Sequence, residues 1–197
     1  MSLPRRAAWQ HVGARDGFEV VFCDVSRFEG ATAAVEGGEA WVVEYSIVLD
    51  DGWRTRSAQV TSLSAAGRRE VTIRCEPGGR WTIDGEHVPD LDGCLDVDLE
   101  SSALTNAFPV RRLGLEAGEH AEAPAAYVRA LDLGVERLEQ SYLRLDDTKG
   151  GSRYRYRAPR FDFECELAYD ESGLVLDYPG IATRLSSSGG SATRTAG

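Results

Sequence analysis

Residues 91–115 read LDGCLDVDLESSALTNAFPVRRLGL, and the fold of the whole chain turns on this stretch. Leu95, Val97 and Leu99 alternate with Asp96 and Asp98, the two-residue period of a strand that puts the apolar residues on one face and the aspartates on the other. The alternation breaks at Ser101-Ser102, both good helix N-cap residues, and a short apolar run follows in Ala103, Leu104, Ala107 and Phe108. Pro109 has no N–H to donate and disfavours helix at the residue before it, so it is expected to stop or kink that segment. Val110–Leu115 then reads as a resumed strand, in which the successive Arg111 and Arg112 must point to opposite faces. Two aspartates, two guanidiniums and the polar pair Thr105-Asn106 thus share one strand–turn–strand unit. Such a unit is either a polar site or costly architecture.

Outward from that unit, the chain reads as β nearly throughout. Phe18–Phe22 opens the series, and Ala40–Leu49 is rich in Val, Ile, Trp and Tyr. The latter ends in Asp51-Gly52, a two-residue hairpin signal, with its partner expected from Trp53 to Leu63. Glu70–Cys75, Arg80–Ile83, Ser152–Arg157, Phe161–Tyr169, Leu174–Tyr178 and Ile181–Leu185 follow as strands between Gly-containing turns. Such spacing fits an antiparallel meander or barrel-like sheet and not βαβ units. Residues 121–145 are ambiguous, because Leu131, Val135, Leu138 and Tyr142 fall near helical spacing. With Gly134 inside them and β-rich surroundings, strands at Ala125–Leu131 and Arg137–Leu145 are the reading preferred. One domain over residues 1–185 is the expectation for a chain of 197 residues. The Ser/Gly-rich segment 186–197 lacks apolar partners for a core and is expected to be disordered.

Composition narrows the function classes. Lys and Arg number 22 against 32 Asp and Glu, a formal charge of −10, which disfavours nucleic acid and anionic membrane surfaces as partners. The four cysteines (Cys23, Cys75, Cys94, Cys165) are far apart, with no CxxC pair, so neither a zinc site nor a disulfide framework has spacing support. MSLPRRAAWQHV at the start lacks the apolar stretch of a signal peptide, and no window is long enough to span a membrane. A cytoplasmic protein without membrane insertion is therefore expected, with no cofactor.

The recognised catalytic patterns (GxSxG, P-loop, GxGxxG, HExxH) are missing. His11, His87 and His120 fall in expected turns or loops. Asp96 and Asp98 could act as an acid/base or metal pair, but no histidine stands nearby in sequence. Ion pairing with Arg111 or Arg112 is the leading reading, ahead of recognition of a polar ligand. Thr105 and Asn106 could satisfy strand edges or face a ligand. One of the two arginines facing a cleft could hold a phosphate or carboxylate. The tryptophans and tyrosines could stack on a sugar or simply fill the sheet. Arg153, Arg155 and Arg157 oppose Tyr154 and Tyr156 on one ribbon, the only local basic patch available to an anionic partner.

Asp92-Gly93-Cys94, Asp96-Val97-Asp98, Thr105-Asn106, Pro109 and Arg111-Arg112-Leu113 together resemble the signature of a glycolipid-binding family of uncharacterised bacterial proteins, roughly DGCxDVDxxxTPFTNTLPIRRL. The family's Thr-Pro-Phe is Ser102-Ala103-Leu104 here. The likeness extends from about Trp9 to Arg184, through Trp53 with Thr55-Arg56, Trp81 before Asp84-Gly85, Gln140 with Tyr142, and Gly173–Val175 with Asp177–Gly180. It implies an all-β spiral β-roll, a long antiparallel sheet wrapped around a single short helix, placed near Ser101–Phe108. Its description as glycolipid-binding, together with the missing catalytic patterns, makes non-enzymatic binding of a glycolipid or lipid-like amphiphile in the concave face of the curved sheet the leading expectation. The candidate ligand-binding residues are Arg56, Trp81, Asp96, Asp98, Thr105, Asn106, Arg111, Arg112 and Tyr178. A ligandless scaffold, or a hydrolase or isomerase using Asp96 or Asp98 as base, is the alternative. A long sheet has edges to cover, so the protein is expected to be a monomer or a homodimer.

Overall fold

The computed structural model describes residues 3–147 and 150–185; the segment 186–197, expected from sequence to be disordered, lies outside them. The described residues open with eight strands: β1 (Arg6–His11), β2 (Arg15–Cys23), β3 (Arg27–Glu36), β4 (Glu39–Leu49), β5 (Thr55–Ser64), β6 (Gly67–Glu76), β7 (Arg80–Ile83) and β8 (Glu86–His87). Next come β9 (Asp96–Leu99), a 3-10 turn at Leu104–Asn106 and the helix α1 (Ala107–Leu113). Eight more strands close the series. They are β10 (His120–Glu122), β11 (Ala125–Val128), β12 (Val135–Leu138), β13 (Ser141–Arg144), β14 (Ser152–Ala158), β15 (Phe163–Tyr169), β16 (Val175–Tyr178) and β17 (Ala182–Arg184).

Fourteen strands form one antiparallel sheet in the order β10-β13-β14-β15-β16-β17-β1-β2-β3-β4-β5-β6-β7-β8. Adjacent hairpins explain most of that order, and the pairing of β1 with β17 joins the first strand to the last. A small sheet, β12-β11-β9, pairs β9 parallel to β11. The large sheet curls around α1, because strands far apart in its order touch the same helical segment. Phe28 of β3 packs on Phe108 with ring centroids 5.2 Å apart, while Tyr142 of β13 and Tyr169 of β15 both bond to Asn106. Its two outer strands, β8 and β10, are not paired with one another, so the sheet is open. This is the all-β roll around one short helix that the sequence implied.

Local chemistry sets the turns. Asp84 and Gly85 both have positive φ (50° and 89°), the conformation of a two-residue hairpin whose twist matches the flanking strands. Within β3, a Cβ on Gly30 would overlap the Tyr45 ring. Glycine there lets Tyr45 lie flat across the strand and reach Glu19. Trp9, Trp41 and Trp81 are buried in the core with Ile47 and Ile73.

Several expectations are corrected. The helix expected near Ser101–Phe108 lies instead at Ala107–Leu113, after a 3-10 turn, so residues 110–113 are helical and not a strand. Pro109 is the third residue of α1, within the first turn, where backbone N–H groups have no intrahelical partner and proline does no harm. The helix therefore runs through Pro109, and Arg111 and Arg112 diverge as neighbours on a helix do, not as opposite faces of a strand. The turn after β4 is longer than two residues: β5 begins at Thr55. Asp50 Oδ1 accepts the N–H groups of Gly52 and Arg54, and Trp53 takes the positive φ of 64°. Strands do occupy 121–145, but Glu139-Gln140 splits the expected Arg137–Leu145 strand between the two sheets. β1, β3, β8 and β10 also went unread in the sequence. Finally, His11 lies in β1 and is buried, and His87 and His120 lie in β8 and β10.

Candidate functional site

A pocket of about 280 Å³ lies beside the start of α1. Its floor comes from the segment joining β9 to α1, its walls from β11, β14, β15 and β16, and its rim from the β1–β2 and β16–β17 turns. The segment 98–106 is fixed in place by side chains of β2 and β3. The Thr32 hydroxyl donates to the Ser101 carbonyl at 2.7 Å, and Arg15 Nη1 donates to the Glu100 carbonyl at 3.0 Å. Glu19, wholly buried, accepts from the Ser102 hydroxyl, the Tyr45 hydroxyl and the Ala103 N–H. Ser102 Oγ in turn accepts the Leu104 N–H at 3.1 Å, although the N-cap residues are Ala103 for the 3-10 turn and Asn106 for α1, neither with a side-chain cap, and not the expected Ser101-Ser102. Burial pushes the Glu19 carboxyl above its ordinary value, against the pull of these hydrogen bonds.

Three of the candidate residues line this pocket: Asp98, Asn106 and Tyr178. Thr105 stands behind Asp98, its hydroxyl donating to Asp98 Oδ1 at 2.8 Å. Asp98 is only 7 % exposed. Its Oδ2 accepts no hydrogen bond from the described residues, and it faces the cavity. Burial pushes the Asp98 pKa from 3.8 up to about 6, the Thr105 hydrogen bond opposes that, and the Asp96 and Glu100 charges reinforce it. Asn106 lines the cavity; its Oδ1 accepts from the Tyr142 hydroxyl at 3.0 Å, and its amide N–H groups donate to no partner among the described residues. Tyr127, Tyr156, Phe161 and Phe163 complete a largely aromatic wall.

The other candidates lie apart. Asp96 is buried and held in fork fashion by Arg112, Nη2 to Oδ2 at 2.5 Å and Nε to Oδ1 at 3.2 Å. Asp98, two residues on, has no such arginine. Burial raises the Asp96 pKa and Arg112 opposes the rise. Arg111 stacks 4.0 Å above the Trp53 ring and donates to the Ser172 carbonyl; burial lowers its pKa. Arg56 pairs with Asp50 near the surface at 2.7 Å. Trp81 is fully buried, with Nε1 donating to the Cys94 carbonyl at 3.0 Å. The Arg153–Arg157 ribbon is matched by Glu164 and Glu166 on β15, so it is a paired surface and not a free basic patch.

Arg15 and Glu100 line the pocket but were not singled out in the sequence. Neither sits in a motif; they are 85 residues apart in sequence and meet in the fold, where Arg15 Nη1 donates to the Glu100 carbonyl. Among the described residues, no three His, Cys, Asp or Glu side chains gather as a metal set, and no helix is long and apolar enough to cross a membrane.

A family model described as "Putative glycolipid-binding" matches residues 6–184. Among solved structures, a DUF1089 family protein from Pseudomonas aeruginosa is 35% identical. The similarity covers 90% of this chain and 95% of that one, with a TM-score of 0.79. No curated protein matches the chain.

Proposed function

The chain belongs to the family described as "Putative glycolipid-binding", and from that premise we propose that it binds a small amphiphile, without catalysis, in the pocket beside α1. The observation that carries this reading is the pairing, in one apolar cavity, of a free carboxylate oxygen on Asp98 with the free amide of Asn106. One accepts and the other donates, the complement of a sugar hydroxyl, and the aromatic wall offers faces on which a sugar ring or a chain can lie. About 280 Å³ stands at the lower end of small-molecule sites. It suits a sugar head group or a short tail, with the remainder of a longer ligand leaving past Phe161, which is half exposed. Arg111, Arg112 and Asp96 act as supports that fix α1, and Arg56 and Trp81 support the sheet. The four free cysteines favour a reducing compartment, in keeping with a cytoplasmic carrier.

Native mass spectrometry of the purified protein, followed by organic extraction, tests this reading. A retained amphiphile near one per chain, or binding of hexyl β-D-glucoside that is weakened by Asn106→Leu, is the expected result. A clean unliganded mass together with no binding of any alkyl probe at millimolar concentration would overturn it.

A further inference from the structure

We propose that this pocket selects an amphiphile whose head carries a positive charge, an ammonium that pairs with Asp98 inside the aromatic wall. The proposal rests on the binding reading above and specifies the ligand's charge.

The charges around the cavity lead to it. Asp96, two residues before Asp98, is held by both ends of the Arg112 guanidinium. Glu100, two residues after it, accepts the Ala130 N–H at 2.7 Å and lies 3.9 Å from Arg15. Arg15 is itself shared with Glu36 at 3.3 Å. Both nearby cations are therefore engaged by other carboxylates. Asp98, 7 % exposed, is left with a threonine hydroxyl on one oxygen and the cavity on the other. The ionisable groups that feel it from other elements are the tyrosines at 127 (β11), 142 (β13), 156 (β14), 169 (β15) and 178 (β16). Burial raises the pKa of each, so all stay neutral and none supplies a positive charge.

The walls point the same way. Tyr127 and Phe161 have ring centroids 5.4 Å apart, and Phe163 lies 6.0 Å from Tyr178 and 6.2 Å from Tyr156. Ring faces attract an ammonium group through their quadrupoles, most strongly where water is excluded. An anionic head would instead meet Asp98 and Glu100 with no unengaged cation to receive it. A neutral sugar would gain hydrogen bonds alone. An ammonium also relieves the desolvation of an ionised Asp98, so its binding is expected to weaken as pH falls below about 6, where Asp98 takes up a proton.

Calorimetry with three probes of equal chain length, hexyltrimethylammonium, hexyl β-D-glucoside and hexanoate, tests the proposal on the full-length protein. The expected result near pH 8 is hexyltrimethylammonium binding about tenfold or more tighter than either of the others. That preference should shrink near pH 5, and in Asp98→Asn the ratio of ammonium to glucoside affinity should fall towards one. Equal affinity for ammonium and glucoside, or a preference insensitive both to pH and to Asp98→Asn, would overturn the charge assignment and leave amphiphile binding standing. Failure of every probe to bind would overturn both. The pH series on the unmutated protein decides the matter even if the variant folds poorly.

Discussion

Asp98 is a carboxyl removed from water without a cation beside it, and the folded state prefers it protonated: its pKa rises from 3.8 to about 6. That preference is fully felt below the unfolded value and is lost as pH rises through the folded one, so ionised Asp98 costs up to ~3 kcal/mol near neutral pH. Asp98→Asn is therefore expected to be more stable than the parent near pH 8, by up to ~3 kcal/mol, with the difference gone near pH 4. Urea melts of both proteins across that range check it, and a variant less stable at pH 8 would refute it. The comparison must be a difference, because His11 titrates in the opposite sense. Burial, then Arg15, lowers its pKa from 6.5 to about 4, so its neutral form stabilises the fold above the unfolded value and that contribution is lost as pH falls. Asp96 behaves differently from Asp98, because Arg112 holds it. Arg112→Ala leaves a buried carboxylate without its partner and is expected to cost roughly 3–5 kcal/mol. Adding Asp96→Asn should recover most of that loss in the same urea melts; no recovery would mean that Arg112 acts through packing alone. The sequence made Asp96, Asp98, Arg111 and Arg112 visible as a charged group, and pairing as its leading use. It could not say which aspartate is left over. That depends on α1 carrying Arg112 back to Asp96, and on Arg111 turning away to Trp53.

At the scale of elements, the helix is the instructive case. Pro109 reads as a stop, yet it is the third residue of α1, where its missing N–H leaves no broken bond. Pro109→Ala is accordingly expected to change stability by less than about 1 kcal/mol, against the ~3 kcal/mol of a proline in a helix interior. Thermal melts distinguish the two, and a larger loss would place Pro109 in a packing role that its backbone position does not require. The strands with regular alternation, β4 and β5 among them, were legible because burial follows the two-residue period. β2 was legible as a strand but not in its facing. Phe18 and Phe22 are 54 % and 61 % exposed, while Glu19 is wholly buried. Hydropathy assigns those faces the other way round; the buried hydroxyls of Tyr45 and Ser102 explain why a carboxyl is tolerated inside. β3 escaped notice because Gly30-Ala31-Thr32-Ala33-Ala34 carries little β-forming signal. Its small residues are what let Tyr45 lie over the strand and reach Glu19. Glu19 itself had no motif to reveal it, though it ties β2 to the segment leading into α1.

Across the whole molecule, the sheet is continuous only because its last strand meets its first. Trp9, Gln10 and His11 of β1 pair with Arg184, Thr183 and Ala182 of β17, and Val12 N–H donates to the Ile181 carbonyl at 2.9 Å. β16 then carries the ladder on towards β15 and β14. The free margins are short and polar by contrast: β8 is Glu86-His87 and β10 is His120–Glu122. Such edges present few backbone groups to another chain. Removing β17 would create two longer ones at a stroke, on β1 and on β16, and would strip the Ala182 side chain from the core, where it is fully buried. It would also take away Ile181, one wall of the pocket. A chain ended at Gly180 is therefore expected to lose cooperative unfolding and to elute from size exclusion as aggregate. Restoring residues 181–185 should restore both a single sharp melting transition and a discrete species. A truncated chain that stayed discrete and melted cooperatively would mean that the strands before β9 and those after α1 hold their shape independently. The pocket's rim would then be an accessory to the roll and not part of what closes it.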